Sequence, residues 1–201
     1  MQSYAKKLGM THYWDENGTQ RVATVLELLS TVYAGKRTQD ENGYDASIYA
    51  LISDKAKTNK SLSGQFKGVS NIKKVKEQKI KPGDGFKIGT EVKIDQFKVS
   101  DEICIYGTSK GKGFAGTVKR HGFNTGPKTH GSNNYRQPGS IGDTGASHVV
   151  KGKKMSGHMG STRVKIKKVK IAKIEVGKNR IWLNSPIPGA NKSLILIEKN
   201  D

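Results

Sequence analysis

In several stretches of this chain apolar residues return at every second position, the period of a strand with one buried face. In RVKIKKVKIAKIEV, residues 163–176, aliphatic side chains alternate with lysines, and the doublet Lys167-Lys168 shifts the phase by one residue, as a β-bulge does. EICIYG places Ile103 and Ile105 on one face, and FKIGTEVKIDQFKV sets Ile88, Val92, Ile94 and Phe97 among charged residues, so both predict half-buried strands. Near the start, THYWDENGTQRVATVLEL puts Asn17-Gly18 between two strand-like runs, a hairpin signal. GKNR turns the chain into Ile181-Trp182-Leu183, and Leu194 to Ile197 supplies a last, more buried strand. Short strands separated by turns predict a mainly β fold, a small barrel or a sandwich. The lysine-rich stretch LISDKAKTNKSLSGQFKGVSNIKKVKEQ lacks a clean period and reads as a basic loop or short-helix insertion around residues 53–80.

One segment breaks the pattern. Residues 107–160 hold 13 of the 24 glycines, 9 Lys or Arg, the single acid Asp143 and only 11 hydrophobic residues. The flanks, 1–106 and 161–201, are far richer in apolar residues, so only they can fold by apolar burial. The simplest topology is a barrel closed by both halves of the chain, with residues 107–160 a long excursion from one loop. A loop beyond about 15 residues with no structure of its own is usually functional or disordered.

Charge narrows the function. Lys plus Arg number 36 against 17 Asp plus Glu, a formal net charge of +19, and such an excess asks for a polyanionic partner. Membrane insertion is not expected, because the longest aliphatic run near either end is the four residues Leu194 to Ile197, against roughly 18 needed to span. The opening MQSYAKKLGM has no apolar core of a secretory signal. A single cysteine, Cys104, excludes an intramolecular disulfide and a cysteine-based zinc site, and fits a reducing cytosol.

The motifs within the excursion mimic nucleotide sites and fail on detail. GKGFAG is formally GxGxxG, but Gly122, Gly126 and Pro127 break any following helix, and no acid stands where a ribose partner belongs. GTSKGKG has three residues between Gly107 and Gly111 where a P-loop needs four, and Gly113 where it needs a hydroxyl. His121, His130, His148 and His158 are spaced 9, 18 and 10 apart, which matches no common zinc pattern, so no metal and no cofactor are expected. Nothing marks a nucleophile elbow or paired catalytic carboxylates, so no enzyme is expected. Nucleic acid remains. Glycines such as Gly113 bare backbone amides and permit close approach, while Lys110, Lys112, Lys119, Arg120, Lys128, Arg136, Lys151, Lys153, Lys154 and Arg163 supply counter-charge. His130 and His158 suit RNA backbone contacts or base stacking. On this reading the segment orders only when threaded into structured RNA. A nucleoid protein, a nucleotide-dependent catalyst using GKGFAG and a solvated basic loop are the rival readings.

KKLGMTHYWDENGTQ, NGYDA, NKSLSGQF, GTSKGKGFAGTVKRHGF, THGS, RQPGSIG, KGKKMSGHMG and the PGA of Pro188 to Ala190 resemble the L-three protein family of the large ribosomal subunit, in its bacterial form, along nearly the whole chain. The combination GxSxGKGxxGxxxR, Gly107 to Arg120, is highly specific. The resemblance implies a translation-protein-type β-barrel on the subunit surface and an extension running through large-subunit rRNA toward the peptidyl transferase centre. It also implies an early role in subunit assembly, a cytoplasmic location in the ribosome, neighbours of the L-fourteen and L-nineteen types, and no homo-oligomer. The chain departs from the family pattern at Cys104, where Asp or Asn is common, at Ala146-Ser147 in place of Pro-Gly, and at Val150 in place of an aromatic. His158 stands where some members carry a methylated Gln.

Overall fold

A computed structural model of the chain describes residues 2–15, 17–53, 59–79 and 87–199, and within them the protein is mainly β. In chain order the elements are β1 (Gln2–Trp14), β2 (Gln20–Leu28), β3 (Thr31–Arg37), α1 (Gln39–Asn42), β4 (Ala46–Ile52), α2 (Lys60–Gln65) and β5 (Ile72–Lys79). They continue with β6 (Glu102–Thr108), β7 (Phe114–Ala115), α3 (Thr117–His121), β8 (Gly157–His158), β9 (Arg163–Glu175), β10 (Arg180–Leu183) and β11 (Leu194–Lys199). Two compact units result: a body of residues up to 108 together with those from 163 onward, and an arm of residues 109–162.

Six strands of the body pair in a closed ring, β1-β11-β6-β9-β10-β2, and β3-β4-β5 form a second sheet. The hairpin foreseen at Asn17-Gly18 joins β1 to β2, with Trp14 opposite Gln20. Asp15 organises it: its Oδ1 accepts from the amides of Asn17 and Thr19, and its Oδ2 from Arg21 Nε at 2.6 Å. Gly18, at φ +71°, supplies the left-handed residue the turn needs. The bulge read at Lys167-Lys168 is also present. Ile103 pairs with Val169 and Ile105 with Ile166, so two lysines face the one residue Cys104, and Lys168 takes φ +55°. The slip keeps Ile166 and Val169, three apart, against the same core.

That core fills the barrel with Leu26, Ile103, Ile105, Ile171, Ile181, Leu183, Ile195 and Ile197, each at most 1% exposed. At roughly 1.5–3 kcal/mol per buried aliphatic side chain, this cluster is the main stabilising term of the body. The second sheet has its own cluster, including Val32, Ile48, Phe66 and Ile72. Tyr4, Leu51 and Leu196 pack together where the outside of the barrel meets that sheet. Lys7 is buried, and its ammonium donates to the carbonyls of Ile187 and Gly189 at 2.5 and 3.1 Å, tying β1 to the PGA turn.

Two expectations need correction. The stretch read as a strand from Ile88 to Phe97 is not one: it makes a single bridge, Val32 to Glu91, and a 3₁₀ turn at Ile94–Gln96. A strand would send Ile94 and Phe97 to opposite faces, whereas the three-residue turn aims both into the barrel core. Ile88 is left 59% exposed. The second correction concerns residues 53–80, of which 54–58 and 80 lie outside the described residues. Besides the short helix α2, the stretch contains the full strand β5, paired to β4 from Ala46 opposite Lys79 to Ile52 opposite Ile72. A register shift opposite Leu51 and Ile52 brings Ile72 and Val75, three apart, onto one cluster, which is why no two-residue period appears in the sequence.

Candidate nucleic-acid interface

The arm is built by backbone hydrogen bonds rather than by apolar burial. From its base, Ser109 N–H donates to Thr162 O, Lys112 N–H to Met159 O and Met159 N–H to Gly113 O, each at 2.9 Å. The ladder ends with β7 against β8, Phe114 opposite His158 and Ala115 opposite Gly157. Helix α3 follows at once and stops at Gly122, a left-handed cap whose N–H returns to Val118 O. Arg120 Nη1 donates to Met155 O at 2.7 Å, and His121 Nε2 lies 2.9 Å from the same carbonyl, which can only accept, so the ring proton sits on Nε2. In the arm only Ala115 and Thr117 are buried. The sequence reading expects an arm that orders only around RNA; its base is instead a paired ladder, held by bonds that a count of apolar residues does not register.

Residues singled out in the sequence fall into separate groups. The ladder gathers Lys110, Lys112, Gly113 and His158, and α3 adds Lys119 and Arg120. A second loop closes where Gly126 N–H meets Tyr135 O, and it carries Lys128, whose ammonium stands 5.3 Å over the Tyr135 ring, together with His130 and Arg136. Lys151, Lys153 and Lys154 follow in a turn closed by Lys153 N–H on Val150 O. Arg163 belongs to the body, where it opens β9 with its guanidinium 4.7 Å over Tyr106.

Every one of these cations and both of these histidines is exposed. Among the described residues none of the cations forms an ion pair, whereas the body's carboxylates Asp15, Asp101 and Glu198 all do. The arm therefore presents unneutralised charge on a glycine-rich backbone. His148 is exposed too, and among the described residues no three His, Cys, Asp or Glu side chains are placed to share a metal. No helix of the described residues is long and apolar enough to cross a membrane. One candidate escaped the sequence reading: Phe114, 80% exposed on β7 beside the Gly113 turn, offers a bare aromatic face. Its signal was an aromatic set inside GKGFAG, where the glycines drew attention to phosphates instead.

A mainly β body with an inserted, glycine-rich cationic arm is the class of protein that the fold and the candidate site define. The family model described as Ribosomal protein L3 matches residues 7–187, and the chain belongs to the ribosomal protein L3 family. It is similar to the large ribosomal subunit protein uL3 of Desulforapulum autotrophicum, 38% identical over 198 residues, covering 96% of each chain. It is likewise similar to the uL3 proteins of Oceanobacillus iheyensis, 37% identical over 96% of this chain and 93% of the relative. For Heliobacterium modesticaldum the identity is 36%, over 97% of this chain and 94% of the relative.

Proposed function

We propose that this protein is a structural constituent of the large ribosomal subunit, working in the cytoplasm without catalysis of its own. Its arm binds large-subunit rRNA, helps nucleate assembly and reaches toward the peptidyl transferase centre, with L-fourteen and L-nineteen type proteins as neighbours. The observation that carries the reading is the arm's charge: nine Lys or Arg and one acid in residues 107–160, with no ion pair, among the described residues, to the cations singled out there. Lys110, Lys112, Lys119, Arg120, Lys128, Arg136, Lys151, Lys153 and Lys154, with Arg163 from the body, meet phosphates. Gly113 allows close backbone approach, and His130, His158 and Phe114 contact backbone or stack on bases.

Neutralising about 6 to 10 phosphates releases a matching number of counterions, so log affinity for large-subunit rRNA falls by several units per unit of log salt. Filter binding across a salt series measures this directly. A flat dependence, or equal affinity for duplex DNA in competition, contradicts the reading.

A further inference from the structure

A cavity of about 170 Å³ opens in the body, lined by Tyr4, Lys74, Lys76, Tyr106, Thr108 and Arg163 among others, with no carboxylate in its wall among the described residues. Its residues come from β1, β5, β6, β9 and β11, so the cavity exists only once the barrel and the second sheet have formed. Three cations face one small space. Among the described residues none of them has a carboxylate partner. The Lys76 ammonium is held below its ordinary pKa, first by burial and then by the like charges of Arg163 and Lys74.

A neutral donor completes the set. Tyr4 is only 2% exposed, and its Oη has no hydrogen-bond partner among the described residues. Burial raises the phenol's pKa while the Arg163 charge pulls the other way, so Tyr4 stays a protonated donor beside a guanidinium. A buried hydroxyl left without an acceptor is costly, and so is a cluster of unpaired cations. Arg163 is laid against the Tyr106 ring at 4.7 Å, which fixes its planar fork. The carboxylate of Glu198 is already engaged by Tyr106 Oη and, at 3.6 Å, by Lys165. An anion with several acceptor oxygens complements this lining.

We propose that this cavity is a phosphate site, occupied by one backbone phosphodiester of RNA, and that it gives the body a contact of its own apart from the arm. The inference rests on the RNA-binding reading above. A single group with oxygens in several directions satisfies Lys74, Lys76, Arg163 and the Tyr4 phenol together, which neither a chloride nor a planar carboxylate does.

The test uses the full chain with large-subunit rRNA, and inorganic phosphate as a separate probe. Lys76→Gln is expected to lower the slope of log affinity against log salt by about one, the signature of a lost phosphate contact. Tyr4→Phe removes only the donor, and is expected to weaken binding roughly tenfold without changing that slope. Should Lys76→Gln disturb folding by circular dichroism, Lys74→Gln at the more exposed lysine replaces it. Wild-type affinity and slope in both the lysine and the Tyr4 variants, with binding still weakened by Lys153→Gln and Lys154→Gln, overturns the cavity and leaves the RNA reading intact. A flat salt dependence in the wild type removes both. Millimolar inorganic phosphate shifting the Tyr4 ring resonances, with rRNA binding untouched by Lys76→Gln, identifies a free-phosphate site and refutes the phosphodiester.

Discussion

Gly160 closes the base of the arm in a backbone conformation, φ +77°, that L side chains rarely adopt, and a Cβ there would collide with Lys110 O. Gly160→Ala therefore cannot be absorbed by a side-chain shift, since the obstacle is backbone. It should destabilise the ladder by more than about 1 kcal/mol, seen as lost hydrogen-exchange protection at the Lys112 and Met159 amides while barrel amides stay protected. Gly142→Ala, with open space around the new methyl group, is the control and should change nothing. Unchanged protection in Gly160→Ala would show that the ladder does not hold the arm. The same reasoning separates two kinds of glycine in the arm. Gly116 has open space where its Cβ would go, so an alanine there fits the protein itself and any defect it causes reports on what approaches from outside.

Among the elements, those with a local signature were legible: β1 and β2 through the Asn17-Gly18 turn between them, β6 and β9 through apolar alternation, including the slip at Lys167-Lys168. Two elements were illegible for reasons that are physical. β5 hides its face behind a register shift that only its partner β4 reveals, and Ile94 with Phe97, three apart, reach the core through a turn that no two-residue period encodes. That turn region is fastened by Lys199 of β11, whose ammonium donates to Gln96 O at 3.1 Å and to Asp101 Oδ2 at 2.6 Å. The Asp101 carboxyl is held below its ordinary pKa, chiefly by the Lys199 hydrogen bond and next by the Lys98 amide. A depressed folded-state pKa means stability that is present above the unfolded value, about 3.9, and lost as pH falls through the folded one. Asp101→Asn should thus cost up to about 1 kcal/mol at neutral pH, a small figure because the pair is partly exposed, and the gap to the wild type should narrow as pH falls below the unfolded carboxyl's ordinary range and vanish below the folded-state pKa. Urea unfolding in a pH series from 7 into the acid range checks this, and a difference that does not narrow as pH falls would assign the effect to packing instead.

For the whole molecule the decisive feature is a division of labour. The barrel cluster draws no residue from 109–162, while the arm holds charge that no ion pair among the described residues neutralises. That division was readable, since glycine, lysine and the near absence of acids are properties of local sequence. The phosphate cavity was not, because Tyr4, Lys74, Lys76 and Arg163 are scattered over 160 positions and converge only through strand pairing. Thr108 and Arg163 are partners across the β6 and β9 ladder, so a two-residue Asn-Gly turn can join them in place of residues 109–162. The affinity of that shortened chain for large-subunit rRNA, taken on protein shown to unfold cooperatively, tests the account most directly. Expected is a folded barrel whose affinity is lower by about a hundredfold or more at physiological salt. A shortened chain that folds and binds rRNA as tightly as the full one would contradict it.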